Sequence, residues 1–503
     1  MLSRPRTLTT VLALAMLPAA GFAAAQEPQA IAFVGATIID GNGGEPLRDG
    51  TLVVVGKEIQ AVGPRAKVTV PGGARVIDAA GKFLIPGLID TNVHLSLYGR
   101  GETLVRYQHR NVDLTRESAQ LHLKHGVTTV RDSYGSLLPL MRVRDEIARG
   151  ELVGPRMLVA GNIVGWGGPC SISFSLIRES ECTLLEEQFN DFIAQGTGEE
   201  LMYMTPEEVR VAISKYLDLG PDFIKYGGTA HFSPPFIGFS PEVQRVMVEE
   251  THKRGLVAET HSTTVEGLRL SVLAGIDLIQ HPEIVGNREM PDELVNMIRE
   301  RGIVCSMLTN TITGKAWQDH LKEKARADSA EARAEADTTW RRERTSAELR
   351  RQREEAGFDM AMRRKNAEKL IRGGCIVTVG TDNYLGSAPE FRRTAKAENQ
   401  EMGKGTIIGI EGLVELGMTP AQAIVAATKN GAIASRGLER FGTLEAGKLA
   451  DVLMLDADPL ADISSIRKLA LVMKEGAIID TEALPTNPVW YGKTPVSDPV
   501  DGK

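Results

Sequence analysis

Between residues 83 and 382 the chain alternates short apolar runs with longer helical patterns, and it does so eight times. The runs are 83–94, 127–132, 155–161, 222–227, 256–261, 276–281, 303–309 and 375–382. The first, from Phe83 to Ile89, is mostly apolar rather than alternating, as a strand buried on both faces is. The segments between them are amphipathic or end at Gly, as at 241–255 and 291–302. Strands alternating with helices call for a parallel sheet. Eight such units predict an α/β architecture, a (β/α)8 barrel of the TIM type, with its chemistry at the C-terminal strand ends.

The flanks read differently. Residues 31–39, 51–55 and 59–62 are short strand patterns separated by turns, and 449–455, 469–473 and 477–479 repeat the style near the other end. We expect one small β-sandwich domain from both termini, 26–82 plus 436–484, beside a barrel at 83–435. A chain of 503 residues exceeds one simple core, which agrees with two domains. Two insertions interrupt the barrel. Residues 162–204 carry Trp166, Cys170 and Cys182 and are a lid or specificity candidate. Residues 315–364 are dense in Arg, Glu and Ala and predict one long solvated helix. The tail, 485–503, is rich in Pro, Gly and Asp, and poor order is expected there.

Residues 1–25 read as a secretory signal peptide: Arg4 and Arg6 precede an apolar run, and Ala23, Ala24 and Ala25 offer a cleavage site. Removing it takes the formal charge from −7 to −9, because two arginines and no acids are lost. Such a charge argues against nucleic acid or an anionic membrane as partner. The expected mature protein is secreted, and periplasmic in a Gram-negative source. An oxidising compartment permits a disulfide between Cys170 and Cys182. Cys305 and Cys375 sit in apolar runs and read as small buried hydrophobes.

Only nine histidines occur, and His94, His261 and His281 each end a predicted strand. Lys225 and Asp382 end two more. Asn92 and His94 are two apart, so on an extended chain they point to one side. Any one of these is weak evidence; together, at one topological level, they form a candidate metal site. Tyr226 and His231 follow Lys225 and are candidate substrate contacts. His109, His122, His125, His252 and His320 lie on helical patterns and read as packed or solvated. Arg131 and Asp132 read as a structural pair.

The words Pro86-Gly87-Leu88-Ile89-Asp90, followed by a polar-x-His pair, resemble the first barrel strand of the amidohydrolase superfamily. Residues 126–132, 154–156 and 274–277 are similar to its imidazolonepropionase and Xaa-Pro dipeptidase branch, and 442–451 resembles the return strand of the superfamily's β-sandwich. The resemblance implies a divalent metal, zinc first, held by His94, Lys225, His261, His281 and Asp382, with Lys225 as a carbamate. It implies Asp382 as general base and acid. The family normally has His where this chain has Asn92, an oxygen donor and a weaker zinc ligand. That leaves a binuclear site using Asn92, a mononuclear site on Lys225, His261 and His281, or a barrel that has lost catalysis and serves binding or assembly. The implied activity is hydrolysis of an amide bond in a small molecule. A dipeptide or N-acyl amino acid is favoured over the cyclic amide of an imidazolonepropionase, and a homo-oligomer is a family habit.

Overall fold

The computed structural model describes residues 30–96, 106–174, 179–231, 235–336, 359–386 and 395–491. The expected leader at 1–25 lies outside them. Five strands open the described chain: β1 (Ile31–Ile38), β2 (Leu47–Val55), β3 (Glu58–Pro64), β4 (Arg75–Asp78) and β5 (Phe83–Pro86). The apolar run expected as one strand over 83–94 is in fact two, because β6 (Leu88–Val93) belongs to another sheet. Gly87 is the joint. Its N–H donates to Asp451 O at 2.9 Å, and the next N–H, of Leu88, donates to Gly126 O at 3.0 Å. A Cβ at Gly87 would lie 2.1 Å from Thr128 Oγ1, so only glycine lets the backbone change sheets there.

The parallel strands follow. β6 pairs with β7 (Val127–Asp132), and β7 with β8 (Arg156–Val159). A second parallel sheet runs β9 (Ile163–Val164), β10 (Phe223–Gly227), β11 (Val257–His261), β12 (Leu278–Gln280), β13 (Val304–Met307) and β14 (Ile376–Val379). The two sheets meet at both flanks. Asp382 N donates to Asn92 O at 2.8 Å and His94 N to Asn383 O at 2.9 Å, while Asp222 N reaches Val159 O at 2.8 Å. The third strand, expected at 155–161, is broken: β8 ends at Val159, Gly161 turns with φ of 77°, and β9 resumes inside the 162–204 insertion. All residues of β7, β10 and β11 are buried, polar ones included, because both faces of these strands are covered. Connecting helices start where the sequence supplies caps. Thr205 and Glu208 form a capping box before Pro206–Asp218, and Ser240 caps Pro241–Lys253.

The charged insertion is not one helix. One helix runs Gly314–Ala336, and another, Met360–Arg372, starts afresh at Asp359, whose side chain accepts Ala361 N–H at 2.9 Å. Residues 337–358 lie outside the described chain. In the other insertion Cys170 and Cys182 are joined as a disulfide, Cα atoms 6.1 Å apart. β15 (Val452–Leu455), β16 (Leu469–Lys474) and β17 (Ala477–Ile479) complete a mixed sheet of eight strands with β1–β5. It is one hydrogen-bonded path, β17-β16-β15-β5-β1-β2-β3 with β4 on β1.

Of the tail expected at 485–503, residues 492–503 lie outside the described chain, and 489–491 depart from expectation because they are held in place. The Glu117 carboxylate accepts the N–H groups of Val489, Trp490 and Tyr491 at 2.7–2.8 Å, and the Trp490 side chain is buried. Among the described residues no helix is long and apolar enough to cross a membrane.

Candidate active site

The parallel strands run in one direction, so their C-terminal ends collect side chains from distant parts of the chain. Asp382, just past β14, receives two of them. His94 Nε2 lies 2.8 Å from its Oδ1, and Asn92 Nδ2 donates to the same oxygen at 3.1 Å. His94 Nδ1 faces Tyr134 O at 3.3 Å, so the ring's tautomer sets which of the two oxygens it donates to. Across the site, His261 Nδ1 and His281 Nε2 are 3.0 Å apart, with their rings near perpendicular at 75°. Lys225 ends its inward run on β10 and is 1% exposed. Asp382 and His281 both hold left-handed backbones, φ 54° and 36°.

Electrostatics sort these groups into proton states. Burial, with His231 and Lys225 nearby, pushes His261 well below its ordinary value and His281 to about 3. Both rings are therefore neutral near pH 7, as ligating imidazoles must be. Burial lowers Lys225 against the pull of Asp382, Glu259 and Asp132. Burial opposes ionisation of Asp382, but the His94 hydrogen bond and the cations around it outweigh that and hold the carboxyl low. Asp132, buried beneath, is raised to about 8, although it accepts Leu95 and Tyr134 N–H groups.

The donor chemistry fits a divalent ion. Asn92 Oδ1 is buried without a hydrogen-bond partner, which costs free energy unless something occupies it, and so are His261 Nε2 and His281 Nδ1, the ring nitrogens of that pair that do not face each other. Two donors about 2.1 Å from one ion lie roughly 3–3.4 Å apart, close to the 3.0 Å of the His261–His281 pair. Among the described residues no three His, Cys, Asp or Glu side chains close on one point. The histidines and Asp382 instead form two bonded pairs, and the remaining donors, Lys225 and Asn92, are of other types.

Two sequence expectations fail here. Tyr226 does not face the site: β-strand neighbours point oppositely, and its hydroxyl meets Gln244 Oε1 at 3.1 Å on Pro241–Lys253. Arg131 does not pair with Asp132. Its Nη2 donates to Glu259 Oε2 at 2.8 Å, both side chains fully buried, while its guanidinium lies 3.9 Å from the centre of the Phe223 ring. His231 does reach the site, its ring 5.4 Å from that of His261.

The sequence reading missed an aromatic wall. Trp166 packs edge-on to His261 at 4.5 Å and stacks on Phe174 at 5.4 Å. Phe174 in turn meets Tyr134 at 5.1 Å, and Tyr134 meets His94 at 6.2 Å. Both Trp166 and Phe174 come from the 162–204 insertion. Its position after a strand end was the only signal.

Comparison with known proteins places this geometry. A family profile, "Amidohydrolase family", matches residues 83–479. Imidazolonepropionase of Brevibacillus brevis is 23% identical, covering 81% of this chain and 84% of its own. Ochratoxinase of Aspergillus niger is 24% identical, covering 84% and 80%. The solved structure of molinate hydrolase superposes with a TM-score of 0.77 at 30% identity, covering 92% of this chain and 97% of that one. Phenylurea hydrolase B gives 0.76 at 30%, covering 92% and 99%. With a match across most of its length, the chain belongs to the amidohydrolase family.

Proposed function

We propose that this protein is an exported, metal-dependent hydrolase that cuts an amide C–N bond in a small molecule. The observation that carries the reading is the meeting of His94 and Asn92 on Asp382, beside Lys225 and the His261–His281 pair. We read β6–β14 as a closed (β/α)8 barrel with β8 and β9 together as its third strand, and the eight-stranded sheet as the companion β-sandwich domain. His94, His261, His281, Asp382 and the Asn92 carbonyl oxygen are the donors for the ion, zinc first. Burial lowers the pKa of Lys225 and so favours its neutral amine, the form that adds to CO2 with loss of a proton to give a carbamate and two further oxygen donors. When bound, the ion lowers the pKa of its water to about 7 and polarises the scissile carbonyl.

The remaining work falls to the chain. Asn92 Nδ2 donates to Asp382 Oδ1 and fixes where the carboxylate points. Asp382 accepts the proton of the attacking water and returns it to the departing nitrogen. Trp166, Phe174 and Tyr134 exclude water on one side and offer an apolar face to the substrate.

Among the family, imidazolonepropionase, a Xaa-Pro dipeptidase and phenylurea hydrolase B have names that point to cyclic amides, dipeptides and ureas. A dipeptide or N-acyl amino acid is our first choice. The Cys170–Cys182 disulfide supports an oxidising compartment such as the periplasm.

Metal analysis of the purified protein tests the reading. One or two equivalents of divalent ion per chain are expected, the count deciding whether Asn92 supports a second ion. A chelator should lower the melting temperature, because an ion that binds only the folded state stabilises it. A chain that stays metal-free after zinc and bicarbonate, and cleaves no dipeptide, N-acyl amino acid or urea, would sink the proposal.

A further inference from the structure

Arg363 stands at the start of Met360–Arg372, the helix that follows the charged insertion. Its side chain is only 11% exposed, and its recorded partners are few. Nη2 donates to Thr311 Oγ1 at 2.8 Å and reaches Glu283 Oε1 at a long 3.4 Å. Nε is buried without a partner, as is Glu283 Oε2. Nη1 makes no hydrogen bond to a described residue and is not among the buried unpartnered atoms, so it meets solvent. A guanidinium carries five N–H donors. This one uses a single nitrogen.

Its position puts the spare donors beside the chemistry. Glu283 lies two residues after His281, past the end of β12, and is fully buried behind Arg363. Thr311 belongs to the turn after β13. Arg363 thus sits over the C-terminal ends of two neighbouring parallel strands. Its charge is felt at His281, and the charge of Asp382 is felt at Arg363. A buried guanidinium with one loose counter-ion and open donors is suited to an incoming oxyanion.

We infer that Arg363, oriented from behind by Glu283 and Thr311, anchors a carboxylate of the substrate through its outward N–H groups, so that the enzyme selects N-acyl amino acids and dipeptides over neutral amides and ureas. This rests on the hydrolase reading above and names the substrate class for the same site. No bond is made or broken at Arg363; it is a specificity residue.

The test compares two probes that differ only in charge, N-benzoylglycine and its primary amide, each titrated calorimetrically into metal-loaded protein. Wild type should bind the acid at least about tenfold more tightly than the amide. Arg363→Met should bring the two affinities within about twofold by weakening the acid and sparing the amide. Should that variant fail to fold, Arg363→Gln, neutral and of similar reach, carries the same expectation. Equal affinities in wild type, or a preference that survives both substitutions, would overturn the inference. Because binding is read apart from turnover, acid preference without hydrolysis counts against the hydrolase reading alone. Hydrolysis without that preference counts against Arg363 alone.

Discussion

Asp382 occupies a backbone conformation, φ 54°, that most side chains avoid and that Asn tolerates better than most. Replacing it by Asn therefore tests its chemistry without disturbing the turn. Asp382→Asn should lower the rate on any amide substrate by about a hundredfold or more, with the melting temperature little changed. An equal rate would remove Asp382 from the mechanism. Gly87 makes the opposite kind of prediction. Its missing Cβ would overlap the branched side chain of Thr128, so Gly87→Ala should destabilise the protein by about 1–3 kcal/mol in urea unfolding. At this scale residue type and strand position made the three histidines, Lys225 and Asp382 legible, since polar groups ending apolar runs stand out. Tyr226 was misplaced because the alternation of strand side chains, applied to Asn92 and His94, was not applied to the residue beside Lys225. The partner of Arg131 was invisible, because it depends on cross-strand neighbours that no local pattern encodes.

Elements were legible where their signals were local. Parallel strands announced themselves by their regular alternation with helical patterns, and helices by Thr and Ser caps followed by Pro. The break of the first run at Gly87 was not legible, since the reason for it, Thr128, is brought near only by folding. Nor was the packing of the tail, whose Pro-rich composition hides a segment gripped by Glu117 and buried at Trp490. Trp490 lies 4.9 Å from Tyr107 and belongs to the same apolar cluster as Tyr134, Trp166 and Phe174. Trp490→Ala should cost about 3–5 kcal/mol of stability and loosen the aromatic wall of the site. Glu117→Gln should cost about 1–3 kcal/mol. Urea midpoints that stay at the wild-type value would mean that the tail contributes nothing to the fold.

For the molecule as a whole, the two sets of strands are joined by charge as well as by Gly87. Arg156, on β8, reaches Asp451 and Glu475 at 2.9 Å each. Partial burial opposes ionisation of Glu475, but Lys474, Arg156 and Lys57 outweigh it and draw its carboxyl down to about 2. Burial holds Lys474 itself down, so Arg156 is the partner we weight most. A carboxylate depressed by folding stabilises above its unfolded pKa and loses that contribution as pH falls toward the folded one. Glu475 should therefore supply at most about 3 kcal/mol above roughly pH 4.5, fading toward pH 2. Glu475→Gln should be less stable than wild type near pH 6, and the gap should fall to about half or less near pH 3, in urea unfolding followed at both. A gap that widens on acidification would refute the pairing.

The eight-stranded sheet has a further consequence, for the time at which this protein can exist. β5 pairs with β1 on one edge, but its other edge is covered only by β15, and Lys82 meets Asp456 at a sequence separation of 374. A ribosome must translate nearly the entire message before that second edge has anything to pair with. Contacts so distant in sequence are slow to close and leave unpaired edges exposed meanwhile. Nascent chains halted before codon 452 should be protease-sensitive along β5, and protection there should appear once β15 has been made.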